Sequence, residues 1–114
     1  MNLQEIIDKL ELTVLTEPYD FSQVDPSFGY TSDLLSCVMA GARNHGLWLT
    51  LQSHINIVAV AALLELSAVI ITEGALPDSS TIAKANDQSV TLLSTPLPTF
   101  AIAGKLWEMG FRDS

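Results

Sequence analysis

The chain has 114 residues, 48% of them hydrophobic, and a net charge of −8. These values predict one domain over residues 1–114 with enough apolar residues for a core without disulfides. Nucleic-acid binding requires a basic face, and anionic membrane surfaces attract basic segments, so five scattered basic residues disfavour both partners. A single cysteine, Cys37, is typical of a reducing compartment, and we expect a cytoplasmic protein.

The N-terminal half alternates between helical and strand patterns. A first amphipathic helix is predicted from the spacing of Leu3, Ile6, Ile7 and Leu10. "LTVLT" predicts a short strand, "EPYDFSQVDP" a loop with at most an edge strand, and "SFGYTS" another strand. Ser32 is the expected N-cap of the next helix. That helix carries an apolar stripe of Leu34, Leu35, Val38, Met39 and Ala42.

"LWLTLQSHINIVAVAALLELSAVIIT" is the most apolar stretch, with Glu65 as its one charged residue. Its uninterrupted apolar part, Ile57 to Leu64, is too short to cross a bilayer. The stretch therefore predicts a buried strand, a helix that begins near Ser53, and a second buried strand, which is a parallel crossover unit. We expect Trp48 and Leu63 in the core.

The C-terminal part repeats the same order. "PDSSTIAKANDQS" predicts a helix capped by Asp78, Ser79 or Ser80, and its inward residues are Ile82, Ala83 and Ala85. "VTLLST" predicts a strand, and the last helix stops at Gly110. That last helix has apolar residues at helical spacing, namely Phe100, Ile102, Ala103, Leu106 and Trp107. The alternating order predicts an α/β domain with a mainly parallel sheet.

Three successive predicted strands end in polar residues. In open parallel sheets these carboxyl ends lie along one edge, where ligands bind, and helix N-termini there favour anions. We therefore predict a site for a small anionic metabolite or nucleotide. Its residues are Thr50, Gln52, Ser53, His54, Asn56, Thr72, Gly74 and Thr95.

A structural interpretation of these polar residues stands beside the ligand site. Ser, Thr and Asn near helix starts commonly satisfy backbone groups, and His54 can simply hold the turn. A small enzyme that uses His54 is a third hypothesis. His45, His54 and Cys37 do not have the spacing of a metal site, so we expect neither a metal nor a cofactor. There is no phosphate-binding loop, which argues against a kinase.

The segments "SDLLS", "TLQSHINIVAVA" and "VIITEGALPDSSTIAKANDQSVTLLSTPLPTFAIAGKL" resemble the DRTGG domain. The likeness covers nearly the whole chain, and its first half resembles the single-domain branch of that family. The Asp-Arg-Thr-Gly-Gly signature itself is absent; "VIITEG", at positions 69 to 74, occupies its place. The family is similar to the N-terminal domain of HPr kinase/phosphorylase, whose phosphate loop lies in a different domain.

The resemblance implies a small three-layer α/β/α sandwich with about four or five strands. It also implies a non-catalytic, ligand-sensing regulatory module. The alternative is a protein-interaction or accessory subunit for an iron-only hydrogenase or a signalling partner. The aromatic residues of "FAIAGKLWEMGF" predict an interface, and we expect a homodimer.

Overall fold

Within residues 1–113, the part of the chain that the computed structural model describes, a five-stranded sheet is combined with five α-helices. The strands are β1 (Thr13–Val14), β2 (Gly29–Thr31), β3 (Leu47–Thr50), β4 (Ala68–Ile71) and β5 (Leu92–Ser94). The α-helices are α1 (Leu3–Leu10), α2 (Leu35–Gly41), α3 (Asn56–Leu63), α4 (Ser79–Asp87) and α5 (Thr99–Glu108). A single 3₁₀ turn, Phe21–Gln23, lies in the segment predicted as a loop.

The sheet has the strand order β1-β5-β4-β3-β2. β2, β3, β4 and β5 run parallel, and β1 pairs antiparallel with β5 at one end. The predicted mainly parallel sheet is therefore confirmed. Because four strands point the same way, the loops that follow them meet at a single edge of the sheet.

Two separate cores lie on the two faces of the sheet. One packs α1 and α5 against residues such as Leu47 and Leu49, and the other packs α2, α3 and α4 against residues such as Trp48. Successive side chains of a strand point to opposite faces, which explains why β3 supplies both cores. The resulting helix–sheet–helix arrangement confirms the predicted three layers, and Trp48 is fully buried as expected.

The predicted helix starts are correct for α4 and wrong for α2 and α3. The amide of Thr81 donates to Oδ1 of Asp78 at 2.9 Å, so Asp78 is the N-cap of α4. Ser53 does not cap α3, because bends and a turn over residues 51–55 precede the helix, which begins at Asn56. Ser32 does not cap α2 either; its hydroxyl accepts the amide of Leu34 at 3.1 Å, before the helix begins.

Two apolar residues predicted to face the core, Leu63 and Ala83, are instead exposed. Leu63 is 68% exposed and Phe100 is 91% exposed, although Ile102 and Leu106 in the same last helix are buried. Each helix packs one side against the sheet, so an apolar residue on its outer side remains in solvent. The same reason explains the exposure of Leu34, Met39 and Trp107. None of the helices in residues 1–113 has the length and hydrophobicity of a membrane span.

Two substitutions in α3 test this assignment of faces. Ile57→Ala removes a side chain that is 1% exposed, so it should lower the free energy of unfolding by about 2–5 kcal/mol. Leu63→Ala should change it by only about 0.5 kcal/mol, because the surface residue leaves no cavity. Urea denaturation followed by circular dichroism measures both values. Equal costs at the two positions would contradict the packing of α3.

Candidate functional site

The loops after the four parallel strands form the carboxyl edge of the sheet, which comprises residues 32–34, 51–56, 72–78 and 95–99. Backbone bonds join these loops in the order of the strands. The amide of Thr72 donates to the carbonyl of Thr50 at 2.9 Å, and that of Thr95 donates to the carbonyl of Ile71 at 3.0 Å. Seven of the eight predicted site residues lie on this edge, and the eighth, Thr50, is the last residue of β3 and adjoins it.

Thr50 is buried and is held by an aspartate that the sequence did not single out. Its hydroxyl donates to Oδ1 of Asp33 at 2.8 Å and accepts the amide of Gln52 at 3.0 Å. The same Asp33 oxygen accepts the amide of Leu51 at 2.9 Å, and the Gln52 side chain donates to the Asp33 carbonyl at 3.2 Å. These bonds connect the loop after β2 to the loop after β3, so the buried Thr50 stabilises the two loops.

Thr72 and Thr95 stabilise the loops after β4 and β5 in a comparable way. Thr72 is fully buried and shares a hydrogen bond with the hydroxyl of Thr99, while the hydroxyl of Thr95 accepts the amide of Leu97 at 3.2 Å. No side-chain polar atom that is buried within residues 1–113 lacks a partner. The geometry of the three threonines therefore agrees with the structural interpretation, in which they satisfy neighbouring groups.

Glu73 is a second acidic residue that the sequence did not single out. Its carboxylate accepts the amide of Thr99, the first residue of α5, at 2.7 Å. Glu73 itself adopts a left-handed backbone with φ 61°, and Gly74 follows with φ 72°. A negative charge at a helix N-terminus is favourable, so Glu73 already occupies the position that an anion would take at α5. An acidic residue beside a turn glycine was the sequence signal for it.

The exposed members of the predicted site cluster around the start of α3. Ser53 is half-buried, and His54 and Asn56 are exposed. Nδ1 of His54 accepts the amide of Asn56 at 3.2 Å, so the neutral ring carries its proton on Nε2. In residues 1–113, Nε2 has no hydrogen-bond partner. His54 thus holds the turn, as the structural interpretation expects, and still presents one ring nitrogen to solvent.

Asp78 lies within electrostatic reach of His54, which brings the starts of α3 and α4 together. The pKa of Asp78 is lowered chiefly by the hydrogen bond from the Thr81 amide, with further bonds from the Ser80 and Thr81 hydroxyls and a smaller effect of His54. The first turn of α4 therefore holds a carboxylate of the chain itself. The first turn of α3 holds no carboxylate, but its amides are bonded too, since that of Asn56 donates to Nδ1 of His54 and that of Ile57 donates to the His54 carbonyl at 3.0 Å.

The charge at this edge comes mainly from carboxylates. Asp33, Glu73 and Asp78 lie there, whereas the basic residues all lie on other segments, namely Lys9, Arg43, Lys84, Lys105 and Arg112. An anionic group would have to rely on backbone amides and on His54. In residues 1–113 no group of three acidic, histidine or cysteine side chains could hold a metal ion.

An apolar rim surrounds the same edge, and the sequence did not predict it. Each loop after a parallel strand exposes at least one large hydrophobic side chain. The apolar rim consists of Leu34, Leu51, Ile55, Leu76, Leu97 and Phe100. These residues are between 37% and 91% exposed. Exposed apolar side chains that gather in one region mark ligand grooves or protein interfaces, so the edge offers both kinds of contact.

Comparisons with known proteins support the fold. No family model and no curated protein matches the sequence. A crystal structure of the CBS and DRTGG domains of the regulatory region of Clostridium perfringens pyrophosphatase, complexed with the activator diadenosine tetraphosphate, does match. The TM-score is 0.74 over 90% of this chain, at 19% sequence identity. The two proteins share a fold.

This likeness confirms, at the level of the fold, the DRTGG resemblance that was drawn from the sequence. The present chain spans 44% of the chain in that crystal structure, so the matched protein contains a further part without a counterpart here. At 19% identity the match identifies neither a ligand nor any site residue of this chain.

The cap of α4 generates a prediction about pH. Asp78→Ala removes the acceptor for the Thr81 amide and should lower stability at pH 7. Because folding depresses the pKa of Asp78, its contribution is complete above the unfolded pKa of about 4. The contribution disappears as the pH falls through the lower folded value. Urea midpoints at pH 7 and near pH 2 should therefore differ between wild type and variant only at the higher pH.

Asp87→Ala, at the other end of α4, is the matched control. It removes a carboxylate from the same helix without removing the cap. Its effect on the urea midpoint should therefore not be restricted to the higher pH. A difference between wild type and Asp78→Ala that is equally large near pH 2 would contradict the role of the Asp78 charge.

Proposed function

We propose that this protein is a non-catalytic regulatory module that binds a small anionic metabolite or nucleotide at the carboxyl edge of its sheet. The observation that carries the proposal is the shared fold with a regulatory region crystallised with a nucleotide activator. The matched part of that pyrophosphatase is regulatory, which supports a sensing role over an enzymatic one. The carboxyl edge is also where open parallel sheets bind ligands.

Within this proposal, the eight predicted residues have two different roles. Thr50, Thr72 and Thr95 are buried and form the frame that positions the loops. His54 and Asn56 are exposed at the start of α3 and would contact the ligand directly. The Nε2–H group of the neutral His54 ring would donate to the anionic group, with Gln52, Ser53 and Gly74 lining the approach.

The apolar rim offers hydrophobic contacts to a ligand, which the polar site residues do not. Ile55 precedes α3 and Leu76 precedes Asp78, so both lie beside the His54–Asp78 region. A ligand with a flat apolar part, such as a nucleobase, could cover these side chains while its anionic part faces His54. This combination favours a nucleotide over a small inorganic anion.

Ligand binding should depend on His54. Diadenosine tetraphosphate and ATP are suitable probes, and a thermal-shift assay should show that at least one raises the Tm of the wild type. His54→Gln should remove most of the rise, because the Nε2–H donor of the ring is lost.

His45→Asn provides the control. His45 precedes β3, at the opposite edge of the sheet, and has a left-handed backbone with φ 67° that asparagine tolerates. This variant should keep the full ligand response. Equal stabilisation of wild type and His54→Gln would remove His54 from the site. If no nucleotide or phosphorylated metabolite stabilised the wild type, the sensor proposal would be rejected in favour of protein interaction, the second candidate function.

The second candidate function is protein interaction, and the apolar rim favours it. Six exposed apolar side chains on or next to one edge are an unusual surface for a chain with a net charge of −8. Contact through that edge would remove them from water without bringing many like charges together. The simplest occupant is a second copy of the chain; a hydrogenase-related or signalling protein is the partner that the DRTGG resemblance implies.

Self-association through the rim has a matched test. Leu76→Ser changes a rim residue that is 67% exposed, and Leu63→Ser changes a residue on the outer side of α3 that is 68% exposed. Sedimentation equilibrium at high micromolar concentration should show a dimer for the wild type and for Leu63→Ser, and a larger monomer fraction for Leu76→Ser. A monomeric wild type would contradict the homodimer, and equal effects of both changes would exclude the rim as its interface.

A further inference from the structure

A cleft of about 320 Å³ lies away from the carboxyl edge, between α5 and the edge strand β2. Its apolar wall is formed by Leu49, Ala103, Leu106, Trp107 and Phe111. None of the eight predicted site residues lines it. The volume reaches the lower end of the range of small-molecule sites, roughly 300–1,000 Å³. The cleft is therefore a second place where a small ligand fits.

The backbone of β2 gives this cleft polar groups that no sequence motif reveals. The amide of Leu47 donates to the carbonyl of Phe28 at 2.8 Å, and the amide of Ser32 donates to the carbonyl of Leu49 at 3.3 Å. In a parallel pair the backbone groups of alternate residues face the partner strand. Gly29 and Thr31 consequently turn their backbone groups outward, and both residues line the cleft.

One of these outward groups is occupied. The amide of Gly29 donates to the carbonyl of Arg112 at 2.8 Å. Within residues 1–113 the carbonyl of Gly29 and the amide of Thr31 have no backbone or side-chain partner. These two groups belong to residues two positions apart and point to the same side of the strand. A hydrogen-bond acceptor therefore lies next to a hydrogen-bond donor. Their complement is a ring edge that carries a donor next to an acceptor, as adenine does with its 6-amino group and N1.

Arg112 adds a positive charge to the cleft. Its guanidinium lies over the Trp107 ring, 4.1 Å from the ring centroid, and one of its nitrogens donates to the carbonyls of Trp107 and Phe111. Within residues 1–113 the other guanidinium N–H groups make no hydrogen bond and can reach a ligand. Asp113 also lines the cleft and offsets part of the charge, so an anionic substituent should gain only modestly.

We propose that the α5–β2 cleft binds a purine-like ring through the Gly29 carbonyl and the Thr31 amide, with an anionic substituent near Arg112. The apolar wall would cover the ring, and Trp107 is the aromatic surface nearest the charge. The inference does not depend on the proposed site at the carboxyl edge.

An extended peptide is the competing occupant, and the length of β2 argues against it. β2 has three residues, and its first outward amide is already bonded to Arg112. Strand addition relies on a row of backbone bonds, and here only the groups of Gly29 and Thr31 remain. A compact ring needs no more than one acceptor and one donor, which is what this edge provides.

The discriminating probes are AMP, IMP and adenosine, titrated against the ¹⁵N-labelled protein. AMP should shift the Thr31 amide and the Trp107 indole signal. IMP presents a carbonyl at position 6 and an N–H at position 1, so it opposes like groups and should bind at least about tenfold more weakly. Adenosine should bind a few-fold more weakly than AMP, because exposed charge contacts contribute little.

Variants test the same contacts. Arg112→Gln should abolish the difference between AMP and adenosine. Ala103→Phe should fill the cleft and abolish AMP binding, whereas Ala83→Phe, on the exposed side of α4, should not. Equal affinity for AMP and IMP, or unchanged AMP binding by Ala103→Phe, would overturn the proposal.

The positions of the shifts separate this proposal from the proposed function. AMP shifts confined to residues 52–56 would overturn the cleft and support the carboxyl edge. Shifts at Thr31 and Trp107 alone would support the cleft and give the edge no support. If AMP caused no shift but a short alternating Thr-Val peptide slowed hydrogen exchange at Thr31, the cleft would be a strand-addition site and the ring proposal would fail.

Discussion

Parallel pairing of β2, β3, β4 and β5 is the constraint on which the rest of the structure depends. Two parallel neighbours cannot be joined by a tight turn, so each connection must cross a face of the sheet, usually as a helix. The three connecting helices α2, α3 and α4 cover one face, and α1 and α5 cover the other, so the strands are buried on both sides. This explains why every residue of β3, β4 and β5 is buried and why the two cores share no residue.

The same constraint brings all the loops after these strands to one edge, where their backbone groups need partners. Thr50, Thr72 and Thr95 supply hydroxyls there, and Asp33 and Glu73 supply carboxylates. A ligand at this edge must therefore use groups that the fold leaves unoccupied. His54 is such a group, because its Nδ1 is bonded to the Asn56 amide while its Nε2 is not bonded within residues 1–113.

Two surfaces compete for a functional role on this framework. The carboxyl edge combines three carboxylates, one histidine and the apolar rim, so a ligand there would depend on apolar contacts as well as on His54. The α5–β2 cleft is more enclosed by apolar side chains and has Arg112 beside it. The shared fold with a regulatory region is compatible with either surface, because folds carry many different sites.

The sequence by itself determined the helices and strands, the parallel sheet and the position of the polar strand ends. These features follow from local periodicity, since side chains of neighbouring residues alternate or rotate in a fixed way along each element. The predicted N-caps of α2 and α3 were wrong, because the chain bends after the preceding strand before each helix begins.

Only the tertiary structure decided which side of each helix faces solvent and which polar groups find partners. Leu63 and Phe100 are exposed because other residues of their helices face the sheet. Asp33 reaches Thr50, and Glu73 reaches Thr99, 26 positions further along the chain. The cleft at β2 is lined by both Gly29 and Arg112, which are joined by a backbone bond although they lie far apart in the sequence. Such contacts join residues that are distant in sequence, and no local pattern encodes them.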